Sequence, residues 1–485
     1  MRKALNVVVP IIAVLVVVAL LLGLRSSLKD EGLRRKDVNV AYPVHLDPFQ
    51  PLLNKYDAAD AVKVQQAYGA TDLAGRAKAR SDIGISATRS LAFYTRQIAK
   101  YNEQHRAVVE LNPDAIDEAK QFDADGREYT PERPFRGAFV LVSGNIAVKG
   151  MRNDAGSKLL GDQKAKEDSD IVARLKDRGA IILGRTNMTE LGGMVAKEMP
   201  NGFSEVGGQT KDSRDPEMRD PQGSAAGAAV AQSLNFADFV VAADTTGDTL
   251  APGAVAGSFA ARLPGCSTKG MLHIDKRLDA IGVLGRSIND VDTAARELCK
   301  SDTDYQPKSR HRVIGVNLDK DFIEGLQENN VAVEEPSPKL QRLLDELAKI
   351  DPHGVARAGF LDQHDVDALR QHYRDYPYGH DGLSGAPSGT DGTIDKAKQI
   401  MSDITSELDA AHAEGVISQG DGSTSAVLGG GPRMTIPALP YHQDTNWDVD
   451  ATKAWTVDVY SKDKLPEMLL LARHVDGARW GPQHK

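Results

Sequence analysis

Gly223-Ser224-Ala225-Ala226-Gly227-Ala228-Ala229 leads, after a short apolar stretch, into Asp244-Thr245-Thr246-Gly247-Asp248-Thr249. Small residues let one backbone approach another, and glycine permits turns that aim several N–H groups at one point. Such a point suits a developing oxyanion. A nucleophile is the residue type expected beside it. The chain supplies Asp248.

Working outward, short apolar runs alternate with helical stretches. Residues 138–142, 180–183, 239–243 and 313–316 read as strands. Residues 57–68, 86–101, 170–178 and 289–299 carry apolar residues at helical spacing. This alternation predicts an α/β sheet covered by helices on both faces.

Further ordered segments surround the opening stretch. Val140-Leu141-Val142-Ser143-Gly144-Asn145-Ile146 comes first, followed by Gly150-Met151 and Ala155-Gly156-Ser157. Val172-Ala173-Arg174-Leu175 precedes Gly179-Ala180-Ile181-Ile182-Leu183-Gly184-Arg185-Thr186-Asn187-Met188-Thr189-Glu190, and Gly207-Gly208-Gln209-Thr210 follows. In this order and spacing the chain resembles the amidase signature family, serine hydrolases with a Lys, cis-Ser, Ser triad. The resemblance covers roughly residues 55–480 and is densest over 105–300. It implies an amidase-signature fold with a large mixed twisted sheet. Ala426-Val427-Leu428-Gly429-Gly430-Gly431-Pro432-Arg433-Met434-Thr435-Ile436-Pro437 resembles a late strand of that fold.

The departures bear on function. Carried over residue by residue, the family's lysine falls on Ser143, its bridging serine on the retained Ser224, and its nucleophile on Asp248. A serine hydroxyl attacks an amide only when a base removes its proton. In the family a neutral lysine amine does so through the bridging serine. Ser143 lacks a basic nitrogen and Asp248 lacks a hydroxyl. Asp248 is instead placed to accept the N–H groups of Thr245, Thr246 and Gly247, the residues of an oxyanion-hole-like turn.

The expectation is therefore a pseudo-amidase that binds an amide-like ligand or a protein partner without hydrolysis. Two readings stay open beside it: an active amidase with a remodelled centre built on Ser224, and a structural subunit that uses the fold as a surface. Lys149, Lys158 and Thr249 are weaker substitutes for the lost groups.

Composition sets further limits. Charged residues make up 26% and hydrophobic residues 41%, as in ordinary globular proteins. The net charge is −9, and no basic tract follows the first 36 residues, which argues against nucleic-acid binding. No cofactor is expected. Cys266 and Cys299 lack metal-ligand spacing. They read as buried free thiols, with a mutual disulfide as the alternative. His364, His372 and His380 match no standard metal motif and read as solvated histidines.

The N-terminus carries its own signal. Residues 7–24 form an uncharged apolar run which, as helix, spans about 27 Å, near the thickness of a bilayer core. No small-x-small cleavage site follows it. The expectation is a single-pass transmembrane anchor over residues 1–29 and a polar tether over 30–54. The amidase-signature domain over 55–485 is then tethered to the membrane, and the Lys/Arg count mildly favours the cytoplasmic side for it.

Overall fold

The computed structural model describes residues 44–68, 72–82, 84–125, 133–161, 164–217, 219–299, 310–384, 390–419, 431–437, 454–460 and 465–478. The strands are β1 (Val108–Leu111), β2 (Phe139–Ser143), β3 (Ile181–Thr186), β4 (Phe203–Ser204), β5 (Gly208–Gln209), β6 (Phe239–Asp244) and β7 (Phe259–Leu263). They continue with β8 (Ala280–Gly285), β9 (His311–Val316), β10 (Val331–Glu334), β11 (Val416–Gln419), β12 (Arg433–Pro437) and β13 (Ala454–Asp458). Eleven of them form one mixed sheet in the order β1-β3-β2-β6-β8-β7-β12-β13-β11-β9-β10, and β4 and β5 make a separate hairpin. The predicted α/β sheet and the helices around 57–68, 86–101, 170–178 and 289–299 are all present.

Side-chain alternation sorts the strands onto two cores. Val140 and Val142 of β2 pack on one face with Val172 and Leu175 of the helix Asp170–Asp177 and with Val291 and Leu298 of Ile288–Cys299. Phe139 and Leu141 pack on the other face with Leu91 of Ala87–His105 and Val230 of Ala226–Ser233. A strand buried on both faces has to be apolar at every position, which is why β2 and β6 read as continuous runs. A third core joins Ile314 of β9 to the helices Pro338–Ala348, Pro352–Gln363 and Asp391–Ala410.

A buried charge network ties the helix Leu73–Asp82 to the residue ahead of β6 and to the helix Ile288–Cys299. Arg76 Nε donates to Asp238 Oδ1 at 2.7 Å, and Arg76 Nη2 donates to Asp290 Oδ1 at 3.0 Å, with all three side chains fully enclosed. Burial by itself raises the Asp238 carboxyl, but the guanidinium groups of Arg80, Arg76 and Arg286 outweigh it and hold the group below the usual range.

Two expectations are corrected. Among the described residues no helix is long and apolar enough to cross a membrane, and the run 7–24 lies outside them. The fold class the described residues support is the mixed α/β amidase-type sheet, with no membrane-spanning helix among them, and the membrane location is withdrawn. Cys266 and Cys299 are not free thiols: they form a disulfide with Cα atoms 4.3 Å apart. The turn after β7 and the end of the helix Ile288–Cys299 bring together residues 33 apart in sequence, a proximity that linear spacing does not reveal.

Arg76→Leu strands two buried carboxylates without their cation. Loss of one partner from a buried pair costs about 3–5 kcal/mol. The urea midpoint of Arg76→Leu is expected to fall accordingly, with the slope unchanged. A midpoint within error of the unmodified protein would show that the network contributes nothing net.

Candidate functional site

Strands β2 and β6 are parallel neighbours, paired from Val140↔Phe239 to Val142↔Val241. Their carboxyl ends therefore open on the same edge of the sheet, where ligands bind in open α/β sheets. Ser143 is the last residue of β2, and the 245–249 turn follows β6 directly. The Gly223–Ala229 run enters the helix Ala226–Ser233 beside them.

The small residues are required by contact. A Cβ on Gly227 would lie 2.2 Å from the carbonyl oxygen of Asn187. Gly223 has φ +54°, and a Cβ there would meet Pro252 Cδ at 2.6 Å and the Asp248 carbonyl oxygen at 2.8 Å. Two loops are thus pressed together at this point, joined also by the Ala225 N–H donating to the Asp248 carbonyl at 3.0 Å.

The side chain of Asp248 fills the centre of the turn and is only 6% exposed. Its Oδ2 accepts N–H groups from Thr245 at 3.0 Å and Thr246 at 2.9 Å. Its Oδ1 accepts the Ser224 N–H at 3.2 Å. The Gly247 N–H, expected at the same carboxylate, donates instead to Asp244 Oδ1 at 2.9 Å. Asp244 also accepts the Thr249 N–H at 2.9 Å and pairs with Arg262 Nε at 3.1 Å. Burial, followed by the neighbouring charge of Asp248, raises the Asp244 carboxyl despite that arginine.

The two serines are buried but not connected to each other. Ser143 Oγ faces Met188 Sδ at 3.6 Å. Ser224 Oγ donates to the Thr189 carbonyl at 3.5 Å. Peptide bonds among the described residues are all trans, including the one before Ser224, where the resemblance implies a cis serine. Arg185 is the cation on the neighbouring strand, and its three nitrogens donate to Glu110, Gly144 and Asp154 at 2.9, 3.0 and 2.8 Å. A guanidinium remains protonated in any case and cannot act as a base. Lys149 is exposed, and Thr249 Oγ1 donates back to the Ala243 carbonyl at 3.3 Å.

A cavity of about 300 Å³ opens over Asp248 and Thr246. Its other walls include Asp220, Gln222 and His353. Thr246 Oγ1 lies 3.4 Å from His353 Nδ1 and 3.3 Å from Asp248 Oδ2. Asp220 and His353 escaped the sequence reading because each sits on a segment distant from the opening run. No local signal marks either one. Among the described residues no group of three His, Cys, Asp or Glu side chains is arranged to hold a metal ion. His364 stacks on Phe360, and His372 Nε2 lies 3.3 Å from Glu205 Oε2.

A further buried acid, Glu190, lies at the end of the Asn187–Glu190 motif. Glu190 accepts hydroxyls from Tyr373 at 2.6 Å and Tyr376 at 2.9 Å, and the Glu205 N–H at 2.8 Å. Tyr373 also shares a short hydrogen bond with Ser157 Oγ. Burial first, and the charge of Glu205 second, push Glu190 up to about 8, against the lowering effect of its three donors. The tyrosine segment is thereby tied to the Asn187–Glu190 motif.

Comparison with known proteins agrees with this architecture. The amidase family model matches residues 89–349, more than half of the chain. One of the glutamyl-tRNA(Gln) amidotransferase subunits of Thermus thermophilus is 32% identical over 200 residues, which is 41% of this chain and 40% of that protein. The chain spans about two fifths of the length of the curated relatives it matches. Among solved structures, an amidase family protein from Bacillus anthracis superposes with a TM-score of 0.72 at 19% identity, covering 90% of this chain and 96% of the other. Peptide amidase from Stenotrophomonas maltophilia gives 0.68 at 21% identity, with 83% and 96% covered. At such identities the likeness is one of fold.

The raised carboxyl of Glu190 links stability to pH. Folding makes Glu190 hold a proton that the unfolded chain releases near its ordinary carboxylate value. Its contribution is complete at low pH and is lost as pH rises towards about 8. Relative to Glu190→Gln, the unmodified protein is expected to lose up to about 1.4 kcal/mol per pH unit within this window. Denaturation of both proteins at pH 5, 6.5 and 8 measures the difference. Parallel stability profiles would refute the raised value.

Proposed function

The chain belongs to the amidase family, and we propose that it is a member that binds a small amide-like ligand or a partner protein without hydrolysing amides by the Lys/Ser/Ser route. The observation that carries this reading is the Asp248 carboxylate, which accepts the Ser224, Thr245 and Thr246 N–H groups at 2.9–3.2 Å. Hydrogen bonds to a carboxylate are about twice as strong as neutral ones. A substrate carbonyl would have to displace this internal anion to reach the donors. Each oxyanion donor lost costs about 2.7–4 kcal/mol of barrier lowering. A negative charge standing where the oxyanion should grow adds repulsion to that loss.

The missing base supports the same reading. Ser143 Oγ has a thioether beside it, and Ser224 Oγ donates to a backbone carbonyl. Among the described residues neither hydroxyl has a proton acceptor able to take the proton it would have to give up. The Ser224-centred amidase would need the Asp248 carboxylate to turn from the Ser224 N–H to the Ser224 hydroxyl.

Purified protein, Ser224→Ala and Ser143→Lys/Asp248→Ser are to be assayed on a panel of alkyl, aryl and peptide amides. The unmodified protein is expected to release no ammonia above the buffer rate, and any gain is expected only in the double variant. Turnover by the unmodified protein that disappears in Ser224→Ala would overturn the reading in favour of a remodelled amidase. Circular dichroism of each variant separates lost activity from lost fold.

A further inference from the structure

In an amidase-type site the backbone N–H donors face the ligand. In this chain those of Thr245 and Thr246 face Asp248 and that of Gly247 faces Asp244, and two carboxylates, Asp248 and Asp220, line the cavity beside the side-chain amides of Asn201 and Gln222. Asp248 Oδ1 takes a single side-chain-to-backbone hydrogen bond, from Ser224 at 3.2 Å, and so retains accepting capacity. Across the cavity Asp220 accepts the Gln222 N–H at 2.7 Å and the Asn201 amide at 3.2 and 3.3 Å. Neither carboxylate forms an ion pair with a lysine or arginine among the described residues, and neither Lys nor Arg is among the residues lining the cavity. Thr246 Oγ1 and His353 complete the wall.

From this reversal of polarity we infer that the cavity selects a small organic cation, a primary ammonium or amidinium, over the neutral amide of the same shape. The inference rests on the reading that the site binds rather than hydrolyses, and it names the ligand class. A cation with several N–H donors meets two carboxylates that lack an ionic partner, whereas a carbonyl finds the N–H groups of Thr245, Thr246 and Gly247 already taken. The volume of about 300 Å³ lies at the lower end of ligand cavities and suits a molecule of benzamidine size. Asp248 has a double part here: it removes the donors that an acyl group needs and supplies charge for the replacement ligand.

Benzamidine, benzamide and benzoate share one shape and carry charges of plus one, zero and minus one. Calorimetric titration of the full-length protein with each is expected to give saturable binding for benzamidine and at least tenfold weaker binding for the other two. Asp220→Asn, at a partly exposed position, should weaken benzamidine at least tenfold while leaving the melting temperature of the free protein in place. Asp248→Ser should move the preference towards benzamide, and Asp248→Asn serves if the serine variant does not fold. Equal or tighter binding of benzamide or benzoate to the unmodified protein, or benzamidine binding indifferent to Asp220→Asn, would overturn the inference. Ammonia release is read separately in the same samples. Turnover with benzamidine selectivity would overturn only the non-hydrolytic reading, and no turnover with no selectivity would overturn only the cation.

Discussion

Two aspartates four residues apart hold the turn after β6, and the rest of the site depends on how they divide its N–H groups. Asp244 takes those of Gly247 and Thr249 and leans on Arg262. Asp248 takes those of Thr245 and Thr246 and reaches across to Ser224 on the neighbouring loop. The backbone donors of Thr245, Thr246, Gly247 and Thr249 thereby find acceptors without water or ligand. A buried amide N–H without a partner costs about 1–3 kcal/mol, so a turn rich in such groups must find anions somewhere. Here the chain provides them itself, and this closes one chemistry while it shapes the cavity for another.

The frame around the turn is built to keep it still. Parallel pairing of β2 with β6 sets Ser143 and the 245–249 segment side by side. The close approach of Gly227 to Asn187 and of Gly223 to Pro252 leaves no room for either loop to retreat. Behind them, the Tyr373–Glu190–Tyr376 cluster fastens the helical segment around residues 366–384 to the same motif region. The helix Pro352–Gln363 then brings His353 to the cavity mouth.

Much of this was legible in the residues. Apolar runs such as Phe239–Ala243 identify strands buried on both faces, because no other environment tolerates five consecutive apolar side chains on alternating sides. The spacing of Gly223–Ala229, Asp244–Thr249 and Glu190 identifies the family and so the parallel neighbours. The partners of Asp248 were legible in part: Thr245 and Thr246 donate to it, but Gly247 turns to Asp244, a choice made by φ and ψ values that composition does not encode. Asp220 and His353 were not legible, since each reaches the site through tertiary packing alone. The Cys266–Cys299 bridge was hidden for the same reason. The apolar run 7–24 shows the opposite limit, for hydropathy supplies a length and a polarity but no account of what the segment rests against.

The Cys266–Cys299 bridge closes a loop that contains β8 and the helix Ile288–Cys299, both packed in the first core. The same loop carries Asp279, whose carboxylate receives the Thr245 hydroxyl at 2.7 Å. A covalent tie of this kind persists where thiols are not kept reduced, in secreted or periplasmic surroundings rather than in a glutathione-rich cytosol. The redox state of the medium is therefore a variable of the protein: it decides whether the segment bracing the Asp248 turn is held by a chemical bond or by packing alone.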